Sequence, residues 1–299
     1  METFSFNKIG VLGRLGSDSV VSTLQRLRHW GAEKGLTLQF DSELQSSMAN
    51  GSAPVVAFSS RQAIGEWADL IIVVGGDGTL LGAARDMARY EKPLLGINRG
   101  RLGFLTDIMP QDLPGAVERV LSGDYVMENR FLLEAQLLRN NEVVGEAMAM
   151  NDVVLHPGQS IRMIEFELHI DNQFVYSQRS DGLIVSTPTG STAYALSAGG
   201  PIMHPSLDAI VLVPMFPHTL TSRPLMIDAG SEIRIAISDN NDLPPHVSSD
   251  AQSHMETRNG DVLVIRRHPH RLHLLHPSDH NYYETCRTKL GWGSRLGDD

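Results

Sequence analysis

Residues 73 to 79 read Val-Val-Gly-Gly-Asp-Gly-Thr, three glycines around one aspartate, after an apolar run and ahead of a helical pattern. Gly75, Gly76 and Gly78 permit positive φ and leave no side chain between the amides and a ligand, so successive N–H groups can turn toward a phosphate. A helix beginning near Thr79 adds its positive N-terminal end. Asp77 is out of place in such a setting, because a carboxylate repels phosphates unless it serves a cation or removes a proton. The plain alternative is that Asp77 caps the helix and the glycines make a tight turn. The full string points instead to a phosphate loop of Gly75, Gly76, Gly78 and Thr79 with Asp77 as its working carboxylate. It is not the G-x-x-x-x-G-K-[ST] loop, and GVLGRLG at 10–16 only mimics the dinucleotide fingerprint G-x-G-x-x-G.

A second stretch, RSDGLIVSTPTGSTAYALSAGGP at 179–201, runs from a strand into a hydroxyl-rich turn and a short helix. The hydroxyls of Thr189, Ser191, Thr192 and Ser197 suit a polyol or phosphate, and Gly190, Gly199 and Gly200 allow close approach. A capped helix with a glycine stop is the competing reading.

GGDGT, then NDVVLH at 151–156, then SDGLIVSTPTGSTAYALSAGGP, in that order, resembles the NAD kinase family in its bacterial branch. NRGRLGFLTD (98–107), VPMFPHTLTSRPL (213–225) and TKLGW (288–292) extend the likeness. The resemblance implies phosphorylation of the adenosine-ribose 2′-hydroxyl of NAD by ATP, giving NADP, with a divalent metal cation (Mg2+) and a homo-oligomer, dimer or tetramer. It makes Asp77 the general base and sets Gly78 beside it at the NAD site. It assigns Asn151 and Asp152 to the nicotinamide-side ribose. Asp181 and the run Thr192, Ala193, Tyr194, Ala195, Leu196 and Ser197 would hold adenine and ribose. Arg162, Arg179 and Gln252 fall at further ligand positions. Asp152 stands where many members carry Glu, and Asp250-Ala251-Gln252 where a glycine or serine is often central. The implied chemistry is sound, since a ribose hydroxyl attacks poorly until a carboxylate accepts its proton, a contribution of roughly 10²–10⁴ in rate. Two other readings are a GGDGT kinase of a lipid or sugar phosphate and an NAD-binding sensor without turnover. The polar turn TPTGSTAYALS speaks against a lipid.

These residues need a frame to hold them. KIGVL (8–12), LIIVV (70–74) and PLLGI (93–97) are continuous apolar runs of the kind buried in parallel sheets. Between them Val20, Leu24, Leu27 and Trp30 form one helical stripe, and Leu81, Ala84, Met87 and Ala88 another. Residues 110–123 read as one more helix. From there period-two alternation takes over, with Asn140-Asn141 and Asp171-Asn172 as hairpin turns. The expected fold is an α/β N-terminal domain with an open parallel sheet, residues 1–125, and a mostly β, sandwich-like C-terminal domain, residues 126–299. The C-terminal segment is placed to return to the first domain.

With 41% apolar residues among 299, two real cores can be filled. A formal charge of −10 excludes a nucleic-acid surface, which needs clustered Lys and Arg. One cysteine, Cys286, excludes an internal disulfide, and no apolar run reaches the roughly 18 residues of a membrane helix. No membrane partner and a cytoplasmic enzyme are expected. HPHRLHLLHPSDH (268–280) offers His268 and His270 on one strand face, as zinc ligands might stand. No carboxylate or cysteine completes a familiar spacing there, and a polar edge strand accounts for the run. The terminal GWGSRLGDD reads as a frayed end.

Overall fold

The computed structural model describes residues 4–48, 55–99, 103–158 and 160–292. The frayed end expected from Gly293 onward lies outside these residues. The chain divides into one compact unit of Met1–Asn129 with Leu272–Asp299, and a second of Arg130–Arg271.

In the first unit, β1 (Lys8–Gly13), β2 (Thr37–Asp41), β3 (Ala57–Ser59), β4 (Leu70–Gly75) and β5 (Pro93–Asn98) run parallel in the order β3-β2-β1-β4-β5. The end of β17 (Val262–Pro277) joins beyond β5 in parallel, through His273 to Leu275. Helices are α1 (Asp18–Glu33), α2 (Gln45–Met48), α3 (Arg61–Trp67), α4 (Asp77–Met87), α5 (Gly115–Leu121) and α7 (Tyr282–Leu290). Every residue of β4 is buried, which is why its sequence is apolar without alternation. Both helical stripes face the core as expected, with Val20, Leu24 and Leu27 in one and Leu81, Ala84 and Met87 in the other. At roughly 1.5–3 kcal/mol for each fully buried aliphatic side chain, β4 and α4 are firmly anchored at the point where the glycine loop joins them. The single helix expected over 110–123 is instead a 3-10 turn, Pro110–Asp112, followed by α5. Pro114 between them has no N–H to give a continuous helix. The short β2, β3 and α3, absent from the sequence reading, fill the stretch between α1 and β4.

The second unit is built from β6 (Tyr125–Arg139), β7 (Glu142–Ala149), β8 (Asp152–His156), β9 (Ile164–Ile170), β10 (Gln173–Ser180), β11 (Gly182–Ser186), β12 (Ala209–Met215), β13 (Leu225–Asp228), β14 (Ile233–Ile237), β15 (His246–Ser249) and β16 (Ser253–Glu256). β6 and β17 each contribute residues to both units. One antiparallel sheet runs β10-β9-β14-β17, with β6 pairing β17 and β7; the other runs β13-β12-β11-β8-β15-β16. Phe166, Leu168 and Ile235 of the first share a core with Val153, Leu183 and Leu212 of the second, a sandwich as expected. Both predicted turns are present, with φ of 51° and 65° at Asn140 and Asn141 and 50° and 64° at Asp171 and Asn172. Such paired left-handed residues match the twist of a two-residue hairpin. One short helix, α6 (Tyr194–Ser197), follows the 3-10 turn Gly190–Thr192.

Candidate active site

In the parallel sheet the strand order reverses at β1 and β4: the chain builds outward through β2 and β3, then crosses to the other side of β1. Open α/β sheets bind ligands beyond the C-terminal ends of their strands at such a point. A cavity of about 500 Å³ lies there, lined by Gly13 and Arg14 after β1, Gly76, Gly78 and Thr79 after β4, and Glu43 and Arg61. Arg61 is fixed by Asp41 at 2.7 Å, Asp86 at 2.6 Å and Glu43 at 3.2 Å. Burial opposes its charge, but the hydrogen bonds to Asp86 and Asp41 prevail and hold its pKa above the ordinary value.

The predicted loop is in place, with a different reason for its glycines. None of Gly75, Gly76 or Gly78 has positive φ, and Gly76, at −106°, is the N-cap of α4. Gly75 is required by space: a Cβ there would stand 2.3 Å from Thr79 Oγ1. Asp77 is not the cap. Its Oδ2 accepts the Phe104 N–H at 2.8 Å, and its Oδ1 accepts the Leu105 N–H at 3.2 Å and the Thr106 hydroxyl at 3.1 Å. A Cβ on Gly103 would come within 1.9 Å of Oδ1, so the loop after β5 closes on the carboxylate only with glycine there. A carboxylate offers about four acceptor positions. Among the described residues two are used on Oδ1 and one on Oδ2, which leaves Oδ2 one further position for a proton donor.

In the second unit a cavity of about 710 Å³ collects Asn151, Asp152, Asp181, Ala193 and Tyr194 from the predicted set. β7 ends at Ala149 and β8 begins at Asp152, so Met150 and Asn151 form a corner. The corner is held by Asp250, whose carboxylate accepts the N–H groups of Met150 at 3.0 Å, Asn151 at 2.8 Å and Asp152 at 3.3 Å. The corner is also why both side chains reach one cavity, which consecutive residues of a straight strand do not. Burial, and after it the charge of Asp250, pushes the Asp152 carboxyl up to about 7.

The cavity also contains groups that the sequence reading did not select. Gly158 N–H donates to His156 Nδ1 at 3.1 Å, which puts that ring's proton on Nε2. Nε2 stands 2.7 Å from Ser248 Oγ, and Oγ stands 2.9 Å from His254 Nδ1. The chain of donors therefore runs from His156 through Ser248 to His254. Burial, then His246 and His254, holds His156 below its ordinary pKa.

Other predicted residues lie elsewhere. Arg162 and Arg179 line a neighbouring cavity that shares Ile161, Asp181 and Phe216 with the larger one, and Arg162 is ion-paired to Asp242. Ser197 lines a third cavity, and Ala195 is packed in a core with Ile184 and Val211. Thr192 donates to Thr189 O at 3.4 Å, and neither Thr192 nor Leu196 lines the larger cavity. Gln252 is exposed at the tip of the β15–β16 hairpin and does not line it either. The hydroxyls expected to meet a ligand are partly turned inward. Ser191 Oγ donates to Pro188 O at 2.6 Å and accepts from Met203 N at 2.9 Å, and Thr189 Oγ1 accepts from Arg130 at 3.2 Å. Their role is to shape the turn, whose Gly190 has no room for a Cβ, 2.2 Å from Asn151 O.

Residues 9–125 match the family model of the ATP-NAD kinase N-terminal domain, and residues 150–276 that of the ATP-NAD kinase C-terminal domain. Over 292 residues, 98% of each chain, the sequence is 58% identical to the NAD kinase of Azotobacter vinelandii and 56% identical to that of Pseudomonas entomophila. The crystal structure of the yeast NADH kinase complexed with NADH shares the fold at 24% identity, with a TM-score of 0.88 over 98% of this chain and 90% of that one. An NAD kinase from Archaeoglobus fulgidus in complex with ATP does so at 22% identity and 0.70, over 95% and 97%.

Proposed function

The chain belongs to the ATP-NAD kinase family, and from that premise we propose that it transfers the terminal phosphoryl group of ATP to the 2′-hydroxyl of the adenosine ribose of NAD, giving NADP. The observation that carries this reading is Asp77, a carboxylate at the strand-order reversal, within the glycine loop that lines the cavity there, whose bonds to the described residues leave it one acceptor position. In the reaction the ribose oxygen attacks the γ-phosphorus, the bond to ADP breaks, and the hydroxyl proton passes to Asp77 Oδ2. The transition state carries its charge on the phosphoryl oxygens, so fixed donors on that group supply most of the remaining catalysis. Arg14, which lines that cavity, and the positive N-terminal end of α4 are the groups that would face it.

NAD is read by the second unit: Asn151 and Asp152 suit ribose hydroxyls, and Ala193 and Tyr194 suit a flat base. A Mg2+ ion fits this donor set as a companion of ATP. It keeps most of its waters and takes phosphate oxygens with one or two carboxylates, and Glu43 is the carboxylate that lines the phosphate cavity. Bound there, the ion would neutralise charge on the phosphates. The same reading carries a homo-oligomer working in the cytoplasm, and the exposed Ile161 and Phe216 beside the larger cavity are apolar groups that a second copy would cover.

The test is an assay with ATP, Mg2+ and NAD in which NADP is followed through an NADP-specific dehydrogenase. NADP formation is expected with NAD, and no ADP release is expected when diacylglycerol or a sugar phosphate replaces it. ADP release with either substitute and none with NAD overturns the reading.

A further inference from the structure

The histidine-rich run does acquire a carboxylate, from a residue far away in sequence. His276 closes β17, and the turn Ser278–Asp279 brings His280 back onto it, with the His280 N–H bonded to Pro277 O at 2.9 Å. The two imidazoles stack with centroids 3.9 Å apart and planes 20° from parallel. Both turn Nδ1 toward one oxygen of Asp107, in the segment after β5: His276 Nδ1 is 2.9 Å and His280 Nδ1 2.8 Å from Oδ2. The three ligand atoms lie within 4.8 Å of one another.

We propose that Asp107, His276 and His280 form a binding site for a first-row divalent transition-metal ion. Two nitrogens and one carboxylate oxygen on one face, with the remaining positions open, is a donor set such ions take. Ligand atoms each about 2.0–2.1 Å from an ion and at right angles to one another stand about 2.9 Å apart, close to the spacing observed. Behind His276, Glu128 Oε2 lies 3.2 Å from Nε2. A carboxylate there draws the ring proton to Nε2 and leaves the Nδ1 lone pair directed at Asp107, the outer-partner arrangement of metal-bound histidines. A proton can bridge each of these contacts, and a metal ion in its place would take the two Nδ1 atoms and Oδ2 together.

Burial supports the same conclusion. The His276 side chain is fully buried and that of His280 is 7% exposed, and Asp107 Oδ1 and His280 Nε2 have no hydrogen-bond partner among the described residues. A cavity of about 210 Å³, lined by Asp107, His280, Asp279 and Glu284 among others, opens beside the cluster. It gives an ion an acidic entry path and room for water on the open positions. His268 and His270, whose rings are 5.5 Å apart, form no comparable cluster with a carboxylate among the described residues. The ion would tie the segment after β5 to the turn that leads into α7.

The experiment strips the full chain with a chelator and titrates it with Co2+, read by visible d–d absorption, and with Zn2+, read by calorimetry, with Mg2+ in excess throughout. One ion per chain is expected, with a rise in thermal midpoint. His280→Ala and Asp107→Asn should each weaken binding by about 100-fold or more, beyond the 10- to 100-fold that loss of an outer partner costs. The His268→Ala, His270→Ala double variant should bind as the parent does. His280 stands at a turn, so its replacement leaves the core intact, and matching circular dichroism shows that the variant is folded. Absence of a saturable cobalt spectrum, or equal affinity in the His280→Ala chain, would mean that the cluster is hydrogen-bonded only and overturns the proposal.

Discussion

Asp250 acts on Asp152 in two ways: its carboxylate accepts the Asp152 backbone N–H at 3.3 Å, and its charge adds to burial in keeping the Asp152 side chain protonated up to about pH 7. The residue that builds the corner therefore also sets the ionisation of the group the corner presents.

A pH dependence follows. Asp152 goes from an ordinary 3.8 to about 7 on folding. Between these values the unfolded chain has released the proton and the folded chain has kept it, so stability falls as pH rises through that window. The loss reaches as much as ~4 kcal/mol at 1.36 kcal/mol per unit. Urea denaturation of the ligand-free protein at pH 5 and pH 8 should show about 2.7 kcal/mol of it, and Asp152→Asn, which cannot ionise, should remove most of the difference. Equal pH dependence in the two proteins would assign it to other groups.

Asp77→Asn removes the proposed proton acceptor and replaces one oxygen by an amide that faces the N–H donors of the 103–106 loop. NAD binding, followed by fluorescence or calorimetry, should stay within about tenfold, while kcat falls by roughly 100-fold or more. Turnover near the parental rate would return Asp77 to a purely structural role.

The two arginines of the cavity beyond β1 and β4 should separate. Arg14 has no ion pair among the described residues, so its charge is available to ATP, and Arg14→Ala should raise the KM for ATP by about tenfold while sparing that for NAD. Arg61 already answers three carboxylates, one of them the buried Asp41. Arg61→Ala should lower stability by about 1–3 kcal/mol, the cost of leaving a buried acceptor short of its partner. An Arg14 variant with an unchanged KM for ATP would place the phosphates elsewhere.

Gly103→Ala tests the loop around Asp77 without touching a polar group. The new Cβ would stand 1.9 Å from Asp77 Oδ1 and 2.6 Å from Thr106 Oγ1, so the loop must move. We expect kcat to drop by at least about tenfold with the KM for NAD within a few-fold. An unaltered kcat would show that the carboxylate works without its three donors.

What could be read from the sequence is mostly what depends on neighbours in the chain. The GGDGT loop, the strand β4 before it and the α4 stripe after it are contiguous, and the structure has all three. The left-handed pairs at Asn140-Asn141 and Asp171-Asn172 announced their hairpins for the same reason. Asp250 was visible only as a departure from a motif, because its work is done on backbone amides 98 to 100 residues earlier, and an amide leaves no trace in residue identity. Ser248 and His254 had a usable signal, since they sit directly opposite in the β15–β16 hairpin; reading HVSSDAQSHME as a hairpin would have paired them. Asp107 is 169 residues from His276, so no spacing rule links them. The left-handed Asp250 and Ala251, at φ 50° and 54°, occupy a turn that glycine would take without strain.

The segment from Gly103 to Asp107 meets two different partners with two kinds of group. Asp77 is answered by the backbone N–H groups of Phe104 and Leu105, and the histidines by a side chain two positions further on. Substitution at Phe104 leaves the first partner its donor, whatever the side chain. Inserting or deleting a single residue would shift every group against its partner and disconnect both ends together. At Phe104 and Leu105 the count of residues is held more tightly than their identity, while Gly103, Thr106 and Asp107 are held by both.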